Sequence, residues 1–175
     1  MKRITIFTLT ILLFSACKKD KKISVPIKVN FSSSVNLSSP NLTCTLPGVP
    51  FAIANSGYFL EGNVTHLGNI NPNTSMGQDG FCNLSTAFIL TTKTGGQIVA
   101  ANGDKITYTG DDAIDLNNVV VSGGTTAPIT GLWTITGGTG RFTGATGSFL
   151  INGTVNVASE EGPVFSITGE GTITY

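Results

Sequence analysis

The chain has 175 residues, enough for one domain with a buried core and a short leader. Only 11% of its residues are charged, and from residue 23 onward four basic residues stand against nine acidic ones, a net charge of −5. This part therefore lacks the positive surface that nucleic-acid binding requires. Short alternating apolar and polar runs, broken by Gly, Asn, Asp and Pro, predict an all-β domain.

The start of the chain has the pattern of a secretion signal. Two basic residues precede an apolar run at Ile4–Phe14, which is shorter than the ~20 residues that a membrane-spanning helix needs. Two small residues then lead to Cys17, and this sequence resembles the lipobox of bacterial lipoproteins, whose cysteine is acylated after the leader is removed. We expect a signal peptide over 1–16, a lipidated Cys17 and polar tether over 17–26, and a domain over 27–175. An ordinary secretory leader is the alternative.

Lipidation of Cys17 makes the membrane the first expected partner of the protein. Each buried methylene contributes about 0.8 kcal/mol, so two or three acyl chains hold a protein durably. The segment Lys18–Lys22 then acts as a solvated tether. By resemblance, lipoproteins without Asp directly after the cysteine move on to the outer membrane, so we expect the cell envelope as the location.

Alternating runs predict the strands of the domain and the loops between them. The predicted strands are Ile27–Leu37, one or two strands within Tyr58–Ile70, then Cys82–Thr92, Gln97–Ala101, Lys105–Thr109, Val119–Val121, Ile129–Thr136, Ser148–Val157 and Val164–Tyr175. The predicted loops are Asn71–Gly80, Asn102–Asp104, Gly110–Asn118 and the glycine-rich Gly137–Gly147. Eight to ten strands in hairpin succession predict a single antiparallel, eight-stranded, calycin-like β-barrel, whose closure removes exposed strand edges.

The glycine-rich segment carries a family resemblance. Ile135–Gly147 resembles a segment of dirigent proteins and allene oxide cyclase-like barrels, in which Gly-Gly-Thr-Gly, a basic residue and Phe precede Ala-x-Gly and a long strand. Thr65–Gly68 and Ala101–Asp104 are similar to earlier landmarks of bacterial members. The resemblance implies an eight-stranded barrel with a central cavity, and copies that can form homo-oligomers. The loop residues that define it are Gly137, Gly138, Gly140, Arg141, Phe142, Gly144 and Gly147.

The same glycine-rich segment is not a phosphate-binding loop. Its spacing fits neither Gly-x-Gly-x-x-Gly nor the P-loop pattern, and a strand follows it where a phosphate site needs a helix. We therefore expect Arg141 to bond loop carbonyls or a carboxylate.

Two residues are weak candidates for catalysis. His66 is the only histidine, which excludes a zinc cluster built on several histidines, and a hydrogen-bonded structural role is its alternative. Glu61 lies in an apolar run, so it projects either into the barrel, where burial raises a carboxyl pKa, or onto the outer face.

Neither a metal nor a cofactor is expected. Asp111, Asp112 and Asp115 supply oxygen atoms that calcium prefers, but they lack the ligand spacing and distal Glu of a calcium loop. A solvated acidic turn is the expectation.

Two cysteines remain for the domain once Cys17 is acylated. Cys44 and Cys82 belong to an exported chain, where oxidation is permitted, so we expect a disulfide between them. Two separate buried thiols are the alternative.

These observations lead to two hypotheses about function. The first is a lipid-anchored, non-catalytic barrel that binds a small apolar ligand or acts as a surface interaction module. The alternative is a cyclase- or isomerase-type enzyme whose cavity steers a reactive intermediate with help from an acid such as Glu61. The second hypothesis needs Glu61 or His66 to face a sizeable cavity.

The lipobox predicts acylation at Cys17. Cells treated with globomycin, which blocks lipoprotein signal peptidase, are expected to accumulate the unprocessed precursor, and mass spectrometry of mature protein should find a lipidated first residue. A free Cys17, or cleavage elsewhere, would contradict the prediction.

Overall fold

A computed structural model describes residues 22–46, 49–53 and 56–175. The signal peptide, Cys17 and residues 18–21 of the tether lie outside these residues. The described residues form eleven strands, one short α-helix and one 3-10 turn, Gly140–Phe142. The elements are β1 Ser24–Val35, β2 Leu42–Leu46, β3 Val49–Ile53, β4 Gly57–Val64, β5 Gly68–Asn69, β6 Met76–Leu84, β7 Ile89–Val99, β8 Lys105–Asp115, α1 Asn117–Ser122, β9 Thr126–Thr139, β10 Thr146–Asn156 and β11 Val164–Thr174. No helix in the described part is long and apolar enough to cross a membrane.

Eight strands close into a ring. Their order is β6, β7, β8, β9, β10, β11, β1, β4, and β4 pairs again with β6. All eight pairings are antiparallel. The prediction of an all-β fold with an antiparallel, eight-stranded closed sheet is therefore confirmed.

The ring has one weak seam. Strands β4 and β6 share only three residue pairs, from Gly57↔Gln78 to Phe59↔Met76. Above them β6 leaves β4 and meets the β2–β3 hairpin, which pairs with it in parallel at Thr45↔Asn83. The sheet therefore forks at β6, and the ring is less regular there than elsewhere.

The ring interior is filled by the apolar residues of alternating positions, because successive side chains of a strand point to opposite faces. Trp133 and Ile135 of β9 are buried, as are Phe149, Ile151 and Val155 of β10. The same side of the sheet carries most of one continuous core. Both alternating runs predicted around the glycine-rich segment thus face the core.

Two of the predicted boundaries between strands and loops are wrong here. The run Cys82–Thr92 is two strands, because a tight turn at 85–88 holds Phe88 at φ 57° and bonds its N–H to the Ser85 carbonyl at 3.0 Å. The predicted loop Asn71–Gly80 contains the start of β6, where Met76 pairs with Gln97. The turn does not stand out in the sequence because apolar residues continue to alternate across it. The start of β6 resembles a loop because the strand contains glycines.

The acidic loop and the short strand predicted after it are also wrong. Residues 110–115 belong to β8, and Val119–Val121 lies in helix α1. The helix ends at Gly123, whose φ of 68° is left-handed, a conformation that glycine adopts without strain. Three consecutive valines favour a strand when considered alone. Here the chain reverses after β8 and a glycine ends the segment, and the valines form a helix.

The glycine-rich loop is shorter than predicted. Strand β9 extends to Thr139 and β10 begins at Thr146, so Gly137, Gly138 and Gly147 are strand residues. A Cβ at Gly138 would lie 2.4 Å from the Lys105 carbonyl oxygen, so the glycine is required for close packing. At the other end of the chain, β1 begins at Ser24, before the predicted domain start at residue 27.

A disulfide ties the β2–β3 hairpin to the ring. It joins Cys44 of β2 to Cys82 of β6, whose Cα atoms are 5.0 Å apart. That distance lies in the usual range for a disulfide. The two cysteines form a second apolar cluster with Leu84 and Leu90, separate from the main core.

Removing this disulfide should destabilise the domain. For a chain separation of 38 residues, loop-closure entropy gives about 4 kcal/mol, so C44S/C82S should lose up to that much unfolding free energy in urea. Reductant supplies the control, since it should destabilise the unmodified protein by a similar amount and leave the double variant unchanged. Equal stability of the two oxidised proteins would contradict the prediction.

Candidate functional site

Polar and aromatic side chains interrupt the apolar core near one end of the ring. Strands β6, β7, β8 and β9 there point Asp79, Thr92, Asp112 and Trp133 inward, and Tyr58 joins them from β4. These positions lie near the end of β8 and the start of β4, so they share the end of the ring at which β1 finishes. We call this end the mouth, and these five residues with their hollow the mouth pocket.

Trp133 is held on three sides. Its indole stacks on the Tyr108 ring, with centroids 4.4 Å apart and planes 7° from parallel. Its Nε1–H donates a hydrogen bond of 2.9 Å to Oδ1 of Asp112. Gly110 lies beneath the indole, where a Cβ would come within 2.5 Å of the ring. The chain thus uses one small residue to admit the largest side chain.

A second set of hydrogen bonds joins β4, β7 and β8. The Tyr58 hydroxyl lies 2.5 Å from that of Thr94 and 3.2 Å from that of Tyr108. Gly77 faces both tyrosines, and a Cβ there would lie 2.3 Å from the Tyr108 oxygen. Because burial raises the pKa of both phenols, they stay neutral and hydrogen-bonding at ordinary pH.

The two carboxyl groups of the mouth pocket hold protons unusually tightly. Burial raises the pKa of Asp79 to about 7, and the nearby charge of Asp112 adds to the effect. Burial also raises the pKa of Asp112 to about 6, while the hydrogen bond from Trp133 opposes the rise. Near neutral pH the pocket therefore presents one carboxyl that can donate a hydrogen bond and one carboxylate that accepts.

The pocket itself is small. The hollow beside these groups is about 50 Å³, room for one or two water molecules at roughly 30 Å³ each. Pockets for drug-sized ligands are about 300–1,000 Å³. Among the described residues, Trp133, Tyr108, Phe31 and Phe149 fill the interior in which the family resemblance implies a central cavity.

The two catalytic candidates from the sequence do not reach the mouth pocket. Glu61 is exposed on the outer face, where its carboxylate accepts a hydrogen bond of 2.9 Å from Ser32. His66 lies at the opposite end of the ring with φ 73°, and its Nε2 bonds the Pro26 carbonyl at 3.0 Å. Neither residue lines any of the hollows found among the described residues, so both lose their support as catalytic candidates.

The acidic triplet is divided between the two faces of β8. Asp112 points inward, whereas Asp111 is exposed and pairs with Lys93 at 2.5 Å. Asp115 accepts hydrogen bonds from the backbone and side chain of Asn117, which lower its pKa. The expected solvated turn is therefore wrong for Asp112. Among the described residues, no group of three or more His, Cys, Asp or Glu could hold a metal ion.

Arg141 closes the end of the ring opposite the mouth. Its Nη2 donates to the His66 carbonyl, and its Nε lies 3.5 Å from Oδ2 of Asp104. Its guanidinium also lies 4.8 Å from the centre of the buried Phe142 ring. These contacts join the glycine-rich turn to the Asn102–Asp104 hairpin and leave Arg141 in a structural role.

Comparison with known proteins identifies few similar chains. No protein-family model matches the sequence, and no curated protein matches it. The chain is similar to the solved structure of a pterocarpan synthase dirigent protein, with 12% identity and a TM-score of 0.43, over 89% of this chain and 87% of that one. A likeness this distant carries no argument about activity, ligand or partners.

The two raised pKa values predict that stability falls as pH increases. Asp79 and Asp112 bind protons more tightly when folded than at their ordinary pKa of 3.8, so the free energy of unfolding should decrease from about pH 4 to about pH 7. Each unit of pKa shift corresponds to about 1.4 kcal/mol, so urea unfolding at pH 4.5 and pH 8 should differ by a few kcal/mol.

Two variants test the assignment of this pH dependence. D79N should lose a large share of it, whereas E61Q, which neutralises an exposed carboxyl, should keep it. Stability that rises over this pH range, or an unchanged slope in D79N, would show that the assignment is wrong.

Proposed function

We propose that the protein is a lipid-anchored, non-catalytic barrel of the cell envelope that binds a small, mostly apolar ligand at its mouth. The observation that carries the proposal is the position of Asp79 and Asp112 in the hollow, surrounded by apolar side chains. The apolar part of the pocket lining comprises Ile114, Ile129, Val155, Pro163, Phe165 and Ile167.

The hollow fits only the polar end of such a ligand. A hydroxyl or carbonyl group matches its volume of about 50 Å³, and the rest of the molecule would lie against the half-buried Ile114, Pro163 and Phe165. A protonated Asp79 can donate to the ligand oxygen, and Asp112 can accept from a hydroxyl. A carboxylate ligand would be repelled by Asp112, so a neutral alcohol, phenol or ketone is the favoured class.

The direction of the chain supports an anchored arrangement. Ile23 and Tyr175 exchange backbone hydrogen bonds of 3.0 and 3.1 Å at the end opposite the mouth. Cys17 lies five residues before Lys22, a distance of at most about 17–18 Å in extended chain. A lipid on Cys17 would hold that end beside the membrane and leave the mouth open to the aqueous side. The outer membrane is the proposed location.

A cyclase- or isomerase-type enzyme is the second candidate. It is favoured by the raised pKa of Asp79, since a proton donor with a pKa near 7 suits general acid catalysis. In that case Asp79 and Asp112, rather than Glu61, would be the acids that assist. The small hollow favours binding over conversion, because a reacting ligand must be enclosed.

The single tryptophan makes binding at the mouth measurable. Full-length protein is titrated with 1-octanol, 2-octanone and 4-propylphenol while Trp133 fluorescence is followed, since its indole borders the pocket. At least one probe should change the emission and bind several-fold more weakly to D112N, which disturbs the indole contact. E61Q, altered on the outer face, should bind like the unmodified protein.

Chemical analysis of the same mixtures separates the two candidates. Recovered probes should be unchanged, and appearance of an isomer with the native protein but not with D79N would favour the enzyme. No fluorescence response to any probe would overturn the proposed binding at the mouth.

A further inference from the structure

A second concave surface lies on the outside of the ring. It has a volume of about 720 Å³ and extends over five strands, β6 to β10. This is within the about 300–1,000 Å³ typical of small-molecule sites. We call it the outer groove. Thr92 and Asp112 border both hollows, whereas Asp79 and the apolar residues of the mouth do not line the groove.

Two cross-strand rows form the outer groove. One row contains the long side chains of Phe81, Lys93, Asp111, Leu132 and Leu150, each opposite the next in register. The neighbouring row contains shorter side chains, which pair in the order Asn83, Thr91, Ala113, Thr130 and Asn152. The row of long side chains forms the wall of the groove, and the row of short side chains forms its floor.

The outward-facing charges of the groove balance, since the carboxyl of Asp112, which also borders the groove, is turned inward and bonded to Trp133. Lys93 and Asp111 are mutually paired at 2.5 Å and largely exposed. The floor offers the hydroxyls of Thr91 and Thr130 and the amide of Asn152, all exposed to solvent. These groups can donate and accept hydrogen bonds, but neither an anion nor a cation finds an unpaired opposite charge.

Apolar surface lies at both ends of the wall. A β-bulge between Asp79 and Phe81 lets Asp79 face the interior while Phe81 faces outward, 51% exposed. Leu150 at the other end is 65% exposed. Bulges commonly re-aim a side chain near functional sites, and an exposed aromatic ring offers a flat apolar platform.

We propose that the outer groove binds a neutral saccharide. A sugar ring combines an apolar face of C–H groups with a rim of hydroxyls, which matches an aromatic platform beside neutral hydrogen-bonding groups. A purely apolar ligand would desolvate the ion pair and the Asn152 amide without replacing their hydrogen bonds.

A second copy of the chain fits the groove less well. Asp111 and Glu170 flank the two leucines, since the register runs Asp111, Leu132, Leu150, Glu170. Two copies related by a two-fold axis centred on the leucines would set Asp111 against either Asp111 or Glu170. Asp111 is already paired with Lys93 and Glu170 with Lys28, and the same axis would set these lysines against each other, so the contact gains no new opposite charge.

Binding of defined oligosaccharides tests the proposal. The full chain, in a detergent without a sugar headgroup, is titrated by calorimetry with maltohexaose, cellohexaose, xylohexaose, mannohexaose and chitohexaose. At least one should bind with a Kd below about 5 mM. F81A and N152A should each weaken that binding about tenfold or more, as expected for the loss of a main binding contact. L37A removes an equally exposed apolar side chain elsewhere and should bind normally.

The remaining outcomes overturn the proposal. These are no binding of any of the five probes, or binding that F81A and N152A leave intact. Light scattering distinguishes the other occupant: a dimer that F81A and L150A dissociate would assign the groove to a second copy. The mouth variant D79N, altered outside the groove lining, should bind saccharide normally, so failure here is separable from failure of the proposed function.

Discussion

The hydrogen bond between the Trp133 indole and the Asp112 carboxyl is the contact on which the interior depends. Without it, the carboxyl would be buried with no partner, at a cost of several kcal/mol. With it, the indole is fixed flat against Tyr108, and the tyrosine in turn meets Tyr58. One chain of contacts therefore joins β9, β8 and β4 across the ring and sets the shape of the hollow at the mouth.

The alternation of apolar and polar residues is sufficient to predict most strands of the fold. The runs around Trp133 and Phe149 predicted buried faces because a half-buried strand has a period of two, and this signal is local. The turn at 85–88 escaped detection because its apolar residues continue the alternation of the flanking strands. Helix α1 is not predicted because three consecutive valines indicate a strand. The helix forms where the chain reverses between β8 and β9, and that reversal depends on the pairing of these two strands.

The mouth pocket was missed for a related reason. Asp112 has the same parity as Ile106 and Tyr108, so it faces inward if β8 continues past Gly110. The acidic composition of residues 111–115 favours a loop, however, and local composition concealed that continuation. Asp79 carries no such signal, because its inward direction depends on the bulge at the next residue. Glu61 and His66 were chosen by residue type, which does not determine the face on which a side chain lies.

The seam between β4 and β6 has a consequence for motion. A ring held by three residue pairs at one point and by about ten at most others opens first at that point, since local opening follows the fewest contacts. The Cys44–Cys82 bond lies just above this seam and anchors the diverging half of β6 to the hairpin. The ring would therefore widen first between β4 and β6, beside Asp79, while the other seven strand junctions stay closed. Parting this junction would break three residue pairs and the bond from the Asp79 N–H to the Ser56 carbonyl, fewer contacts than any other junction of the ring would lose.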